Sequence, residues 1–291
     1  MKTQPWQRDP EAYDFQFTIT PLFFHLDVER HVNNVAVQSF HTEGRLRYLM
    51  NVSGADGIWC SDQVLLRPRR TVTQFLEETH YLTDVQCAVK LVAVDKDSCR
   101  FVIALFQNGE CTSVQDCLMG AWNDGQWQPL PASLFDTLSA RLGEVPELAP
   151  WPDFEAGPEA DQGYPCRTPL EPRFIDQDTD RRLGELTIAR YLEQSRVSSL
   201  DAMRLPGLGL LVARIDIHYL DWPAPLHSAS LATGIAGFGN SSFRVHSGAR
   251  VNDVLVGVCE SVMVLMNREQ RRPTPIDAAM RDAMAGSLVA G

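Results

Sequence analysis

The sequence predicts an α+β fold of two tandem modules, each a long helix beside an antiparallel meander of strands. Three observations carry this. The order strand, long helix, several strands occurs twice. An acid-containing loop opens the helix each time, first as His25-Leu-Asp-Val-Glu-Arg-His-Val-Asn-Asn34 and again as Asp176-Gln-Asp-Thr-Asp-Arg-Arg-Leu-Gly-Glu185. In both loops an Asp precedes an Arg by 18 residues, Asp27 before Arg45 and Asp178 before Arg196. Self-similarity on this scale marks two copies of one supersecondary unit. Each helix can be wrapped by its own curved sheet, and joining the sheets edge to edge would hide exposed strand edges. Two separate α+β domains fit the same pattern.

Length and composition agree with two modules. The chain has 291 residues, 44% of them apolar and 22% charged, enough to bury cores and too apolar for general disorder. The net charge of −11 argues against a nucleic-acid binder, which needs a basic face. The seven cysteines show no CxxC spacing, so neither a zinc knuckle nor a disulfide framework is expected. Most stand in apolar, strand-like runs, where Cys behaves as a small buried hydrophobe. No signal-peptide core and no run of about 18 apolar residues is present, so a membrane span is not expected and a reducing, cytoplasmic setting is.

In order, residues 1–13 read as a polar lead-in. Residues 15–24 are rich in β-formers and read as a strand. Asn33 or Asn34 can cap the following helix, which carries Val37, Phe40, Gly44 and Tyr48 at near-helical spacing to about Met50. A Gly in mid-helix costs about 1 kcal/mol against Ala, so Gly44 implies a helix pressed closely on a sheet. Strands are expected at 59–66, 72–82, 85–94, 100–107 and 110–122, with hairpin turns at Asp95–Ser98 and Asn108-Gly109. A short helix at 132–142 closes the first module, residues 1–143. Residues 144–165 hold five prolines and six acids with no Lys or Arg, and read as a semi-extended linker.

The second module, 166–291, repeats the order. It has a strand at 169–177, a helix at 184–203, strands at 208–221, 227–237, 241–250 and 253–266, and a helix at 276–285. Ser195 takes the place of Gly44. His80-Tyr-Leu82 matches His218-Tyr-Leu220, with Glu78 opposite Asp216. That match puts both histidines on strands in packing roles, and gives the first module about 13 extra residues around 51–71.

The stretch Asp27-Val-Glu-Arg-His-Val-Asn-Asn34, followed by Glu43-Gly-Arg45, resembles the hotdog-fold acyl thioesterases, in particular the 4-hydroxybenzoyl-CoA thioesterase-like group. It is also similar to the Asp-x-Asn-x-His-Val-Asn-Asn motif of plant acyl-carrier-protein thioesterases. The resemblance implies a double hotdog whose sheets join as a pseudo-dimer. It implies acyl-thioester hydrolysis with the thioester bound where the modules meet, Asp27 as catalytic carboxylate and Asp178 as its counterpart. Departures are plain. His25 stands where an acid is common, Arg30 where a Gly is usual, and Glu29 where the plant motif has Asn. In the second module, HVNN becomes Arg182-Leu-Gly-Glu185.

Thioester hydrolysis needs a base or nucleophile, oxyanion donors and a thiolate leaving group. Asp27 can activate water or attack the carbonyl itself, and N–H groups at the helix start, residues 33–35, can hold the oxyanion. The alternative is that Asp27 only caps the helix. His31 either positions the acyl group or water, or braces the loop. Asn33 and Asn34 are substrate-side or capping residues. Glu43 is either a second acid or an ion-pair partner on a solvated face. Asp178, crowded by Arg181 and Arg182, is expected at a degenerate second site. Arg67, Arg69 and Arg70 are the densest basic cluster and suit the phosphates of coenzyme A or phosphopantetheine, or form a solvated loop.

No P-loop, GxGxxG, HExxH or GxSxG is present, and the reading calls for no cofactor and no metal. The expected partner is an acyl-CoA or acyl-carrier-protein thioester, in a lipid or related pathway, with homo-oligomers of the chain allowed. The alternatives are a non-hydrolytic acyl-thioester binding or accessory protein and, last, a hotdog dehydratase or hydratase.

Overall fold

The computed structural model describes residues 2–54, 65–123, 125–154, 160–201, 208–224, 226–267, 269–270 and 272–289. The chain falls into two compact units, Met1–Asp153 and Phe154–Gly291.

In module 1 the antiparallel sheet runs in the order β1 (Phe15–Ile19), β3 (Val85–Val94), β4 (Cys99–Gln107), β5 (Glu110–Asn123) and β2 (Leu65–Phe75). A short β6 (Gln126–Gln128) pairs with the end of β5. One face carries helix α1 (Asn34–Ser53), and α2 (Ala132–Arg141) closes the module. Module 2 repeats this with β7 (Cys166–Leu170), β9 (Ala229–Phe238), β10 (Ser242–Val251), β11 (Val254–Asn267) and β8 (Leu208–Tyr219). Helix α3 (Glu185–Asp201) takes the place of α1, β12 (Arg272–Pro273) that of β6, and α4 (Ala278–Ala283) ends the chain. Each module is thus a hotdog, a long helix against an antiparallel sheet, and the fold class is α+β as expected. Among the described residues no helix is long and apolar enough to cross a membrane.

Alternation decides which face each strand residue serves. In module 1, Cys87, Val89, Leu91, Phe101, Ile103, Leu105, Cys117 and Met119 face the helix residues Val37, Phe40, Tyr48 and Leu49. Their neighbours Ala88, Val102, Ala104, Phe106 and Val114 form a second cluster on the outer face with Tyr13, Trp6 and Leu148. Both faces are covered, so these strands read as continuous apolar runs rather than alternating ones. The lead-in and the described parts of the linker are therefore packed, where the composition of 144–165 suggests a semi-extended connector. Trp6 donates to Glu147 O, Trp151 donates to Asp116 Oδ2 at 2.8 Å, and Asp161 and Phe154 are buried within module 2. Tryptophan and phenylalanine anchors outweigh the proline-rich composition of the segment.

The strand registers give the true internal repeat. Arg70 and Arg100 both face Leu118, as Arg214 and Arg244 both face Val262, and Asp116 and Glu260 hold matching places. Arg100 grips Asp116 on the outer face of module 1, and Arg214, Arg244 and His246 grip Glu260 in module 2. This corrects the match between the two His-Tyr-Leu triplets. His218 lies on β8 opposite Val258, the place of Gln74 opposite Val114, whereas His80 follows the end of β2 in a loop. The strand expected at 72–82 stops at Phe75. Arg45 to Arg70 spans 25 residues and Arg196 to Arg214 spans 18, so module 1 has seven extra residues there, not 13. The strand expected at 59–66 falls mostly outside the described residues.

Gly44 confirms the close approach of helix and sheet. A Cβ there would lie 2.7 Å from Cys87 Sγ and 3.1 Å from Ile103 Cγ2. Its counterpart Ser195 donates its hydroxyl to Ala232 O at 3.0 Å. Gly44→Ala is expected to lower stability by about 1–3 kcal/mol through overpacking, despite the better helix propensity of Ala. Urea unfolding of Gly44→Ala and of Gly44→Ala with Cys87→Ala tests this, since removing the sulfur should relieve the loss.

Candidate active site

The loop between β1 and α1 is built by local hydrogen bonds. A single 3-10 turn, Phe23–His25, follows β1, and a two-residue bridge pairs Leu26 with Val32. Asp27 N donates to His31 O at 2.9 Å and Arg30 N to Asp27 O at 3.1 Å, closing a tight turn. Arg30 sits at the crest with φ of 68°, in the left-handed region that favours Gly. This is the physical reason a Gly suits the position, and Arg30 bears some strain there. Module 2 builds the same turn, with the bridge Gln177–Leu183, Asp178 N donating to Arg182 O at 2.8 Å, and Arg181 at φ 63°.

Inside the module 1 turn, Asp27 Oδ1 accepts from Glu29 N at 2.9 Å and His31 N at 3.1 Å. These bonds fix the half-buried carboxylate to the turn itself, not to the helix, which has its own cap. Asn33 Oδ1 accepts from Val35 N at 2.8 Å and Ala36 N at 3.4 Å. Asn33 N donates to His25 O at 2.8 Å. Of the amides at the helix start, Asn34 N–H is the one with no acceptor among the described hydrogen bonds. The cap and His25 O thus take up two of the three donors that residues 33–35 offered for an oxyanion, and Asn34 retains one at the positive end of the helix dipole.

The position two residues before each Asp is structural. His25 Nδ1 accepts from Leu22 N at 2.9 Å, and its ring packs on Phe40. Burial pulls its pKa down, consistent with an accepting, neutral ring. In module 2 the buried Asp176 does the same work, accepting from Arg173 N at 2.7 Å, from the Arg173 side chain, and from Tyr191 OH at 2.9 Å. Burial pushes its pKa up, but these hydrogen bonds outweigh it and hold the carboxyl below its ordinary value. A His and an Asp can exchange here because the turn needs only an acceptor.

The fold brings in two residues that sequence reasoning did not assign to the site. Val32 N donates to Thr79 O at 2.9 Å, laying the loop after β2 against the Asp27 turn. Glu78 Oε2 then lies 3.3 Å from His31 Nε2. The His80 ring stands 5.7 Å from that of His31, nearly perpendicular to it. Buried Gln107 holds this loop by its amide, accepting from His80 N at 2.9 Å and donating to His80 O at 2.8 Å and Thr83 O at 2.7 Å. An acid just past a strand end is a weak signal in one sequence, and the false triplet match drew Glu78 onto a strand.

The other named residues lie elsewhere. Glu43 pairs with Arg47 at 2.6 Å on an exposed face of α1. It is nine residues past the helix start, about 13 Å along the axis. Arg45 and Arg196, the second halves of the repeated spacing, are buried and aimed at the sheet: Arg45 donates to Gln115 Oε1 at 3.2 Å and Arg196 to Ser261 Oγ at 3.0 Å. Arg67, Arg69 and Arg70 belong to β2, not to a loop. Arg67 is buried, Arg69 stacks over Trp127 at 4.5 Å and donates to Asp97 O, and Arg70 lies over Trp151 and donates to Pro152 O. They sit five to eight residues before the end of β2, roughly 17–26 Å of extended strand.

Module 2 keeps the turn without these companions. Asp178 is exposed and accepts from Thr179 N at 2.7 Å. Arg182 stands where His31 does, donating to Trp222 O at 3.1 Å. Leu183 N donates to Pro223 O as Val32 N does to Thr79 O, which puts Trp222 in the place of Glu78.

No protein-family model matches the chain, and no curated protein matches it in sequence. Solved structures do match its fold. The 12:0-ACP thioesterase from Umbellularia californica aligns with a TM-score of 0.68 at 12% identity, covering 86% of this chain and 94% of that one. A Lactobacillus plantarum protein carrying the name oleoyl thioesterase gives 0.70 at 10% identity, covering 88% and 98%. An acyl-ACP thioesterase from Bacteroides thetaiotaomicron gives 0.63 at 12% identity, covering 86% and 97%. Over most of its length, then, this chain has the tandem hotdog fold that these thioesterases share.

Proposed function

We propose that the chain hydrolyses an acyl thioester at a single site in module 1. The observation that supports this best is that Asp27 and His31 share one turn at the start of α1, with Glu78 held against His31 and Asn34 N–H opening the helix. Oδ1 of Asp27 is held by two backbone amides, and Oδ2 takes the proton of a water as general base. The resulting oxygen attacks the thioester carbonyl, and the negative charge on the carbonyl oxygen is met by Asn34 N–H and the helix dipole. The C–S bond then breaks. Collapse gives the free acid, which loses its proton to water and leaves as a carboxylate, and the thiolate. The proton that Asp27 took from water passes to the thiolate through His31, which Glu78 holds in place, and Asp27 is returned as a carboxylate.

Module 2 is a scaffold in this reading, because Arg182 and Trp222 replace His31 and Glu78. The likeness of fold to acyl-ACP thioesterases agrees with the thioester class. The charge of −11 disfavours long-range attraction of an acidic carrier protein, and acyl-CoA is taken as the substrate in this reading. Arg67 is buried, and Arg69 and Arg70 are held by internal partners well back along β2, so the three have no part in the chemistry.

Thiol release across short, medium, long and aromatic acyl-CoAs, and across the same acyl groups on a carrier protein, tests the proposal. Release from at least one class is expected. A folded protein that binds a non-hydrolysable acyl-CoA analogue and releases no thiol from any substrate would replace it with the accessory-binding reading.

A further inference from the structure

The geometry points to a divalent transition-metal site, suited to Zn²⁺, formed by His31, Glu78 and His80. One ligand atom from each lies within 4.8 Å of the other two. Zinc bonds to imidazole nitrogen and carboxylate oxygen are about 2.0–2.2 Å, so ligand atoms at tetrahedral angles stand roughly 3.3–3.6 Å apart. His31 Nε2 and Glu78 Oε2, at 3.3 Å, already span such an edge. His80 is exposed, and its ligand atom stands at most about 1.5 Å beyond that spacing, a gap that side-chain adjustment would close on binding.

Two imidazoles and one carboxylate form a borderline donor set, which selects Zn²⁺ over the hard cations Mg²⁺ and Ca²⁺. Three protein ligands leave a fourth position for water. The backbone that carries them is set in advance. Val32 N–Thr79 O joins the two loops, and the three hydrogen bonds of Gln107 fix residues 80–83. A site so held needs only side-chain adjustment to bind. No sequence motif announces it, since position 31 and positions 78 and 80 are joined by tertiary contact alone.

The consequence follows from shared atoms. An ion on His31 and Glu78 takes the nitrogen and the carboxylate that hydrolysis uses, so Zn²⁺ inhibits the reaction. That second step rests on the hydrolase reading, whereas binding does not.

Calorimetric titration of the full chain with zinc chloride, without substrate, is the test. One Zn²⁺ per chain is expected, with affinity at least tenfold weaker in His80→Ala and in Glu78→Gln, and no heat from magnesium chloride. His80 is exposed, and circular dichroism of His80→Ala checks that the fold is unchanged. Absence of zinc binding in the native chain, or unaltered affinity in folded His80→Ala, would overturn the site. In parallel, release of free acid from an acyl-CoA should fall as zinc is added, with at least tenfold more zinc needed for His80→Ala. Zinc binding that depends on His80 in a chain with no hydrolytic activity would uphold the site and defeat the hydrolase reading.

Discussion

Asp27→Asn is expected to lower kcat for thiol release by about 10²–10⁴-fold, the usual contribution of a general base, with a much smaller change in KM. The amide keeps the size and shape of the carboxylate. Its oxygen can still accept from Glu29 N and His31 N, so the turn survives while the proton acceptor is lost. Asp178→Asn is the internal control. The two turns share the bridge, the backbone bond across the turn and the left-handed Arg. If both carboxylates only shaped their turns, the two substitutions would have similar, small effects. If Asp27 alone does chemistry, Asp178→Asn leaves kcat within about twofold, because Arg182 and Trp222 stand in place of the His31–Glu78 pair. Full activity in a folded Asp27→Asn protein would sink the assignment. Loss in Asp178→Asn alone would move the site to module 2.

The second large effect is on stability against acid, and it arises in the core. His41 is fully buried on α1, with Nε2 2.9 Å from Ser113 Oγ. Burial, aided by the positive charge of Arg45, pushes its pKa down to about 3. The unfolded chain binds that proton near pH 6.5, and the folded chain only near 3. Between those values the unfolded state holds more protons, so stability is full above pH 6.5 and falls as the pH drops towards 3, by up to about 1.4 kcal/mol per pH unit. From pH 7.5 to 5.5 His41 alone should account for about 1.4 kcal/mol. His25 acts with the same sign, whereas Asp176, with its lowered pKa, loses its contribution only below the ordinary carboxylate range.

His41→Leu adopts the residue of the matching place in α3, Leu192, and isolates the effect. The substitution removes a hydrogen bond to Ser113 and costs stability at every pH, so the slope is what decides. Urea unfolding at the two pH values should show the loss between them reduced by about 1.4 kcal/mol in the variant. An unchanged pH dependence would mean that His41 takes up its proton without unfolding.

Much of the fold was readable because its signals are local. Asn33 as helix cap, Gly44 as a point of close approach, the Asp95–Ser98 and Asn108-Gly109 turns, and most strands of both modules rest on short-range preferences. The turn around Asp27 was readable for the same reason, being closed by hydrogen bonds among residues 25–33. What misled was similarity without register. The two His-Tyr-Leu triplets look alike, yet strand pairing, set by hydrogen bonds to β5 and β11, places His218 on a strand and His80 beyond one. The equal Asp-to-Arg spacing was real, but helix geometry aims Arg45 and Arg196 at the sheet, where Gln115 and Ser261 receive them.

By itself, then, the amino-acid order determined two α+β modules and a carboxylate on the turn that opens the first long helix. Periodicity, caps and turn residues act within a few positions and can be read there. Only the tertiary structure decided which distant groups reach that turn. Glu78 and His80 lie far along the chain from His31 and reach it through Val32–Thr79 and the hydrogen bonds of Gln107, while Glu43, closer in sequence, is carried away along the helix. Such pairings depend on backbone registers fixed by the whole sheet, and no local stretch of sequence contains them.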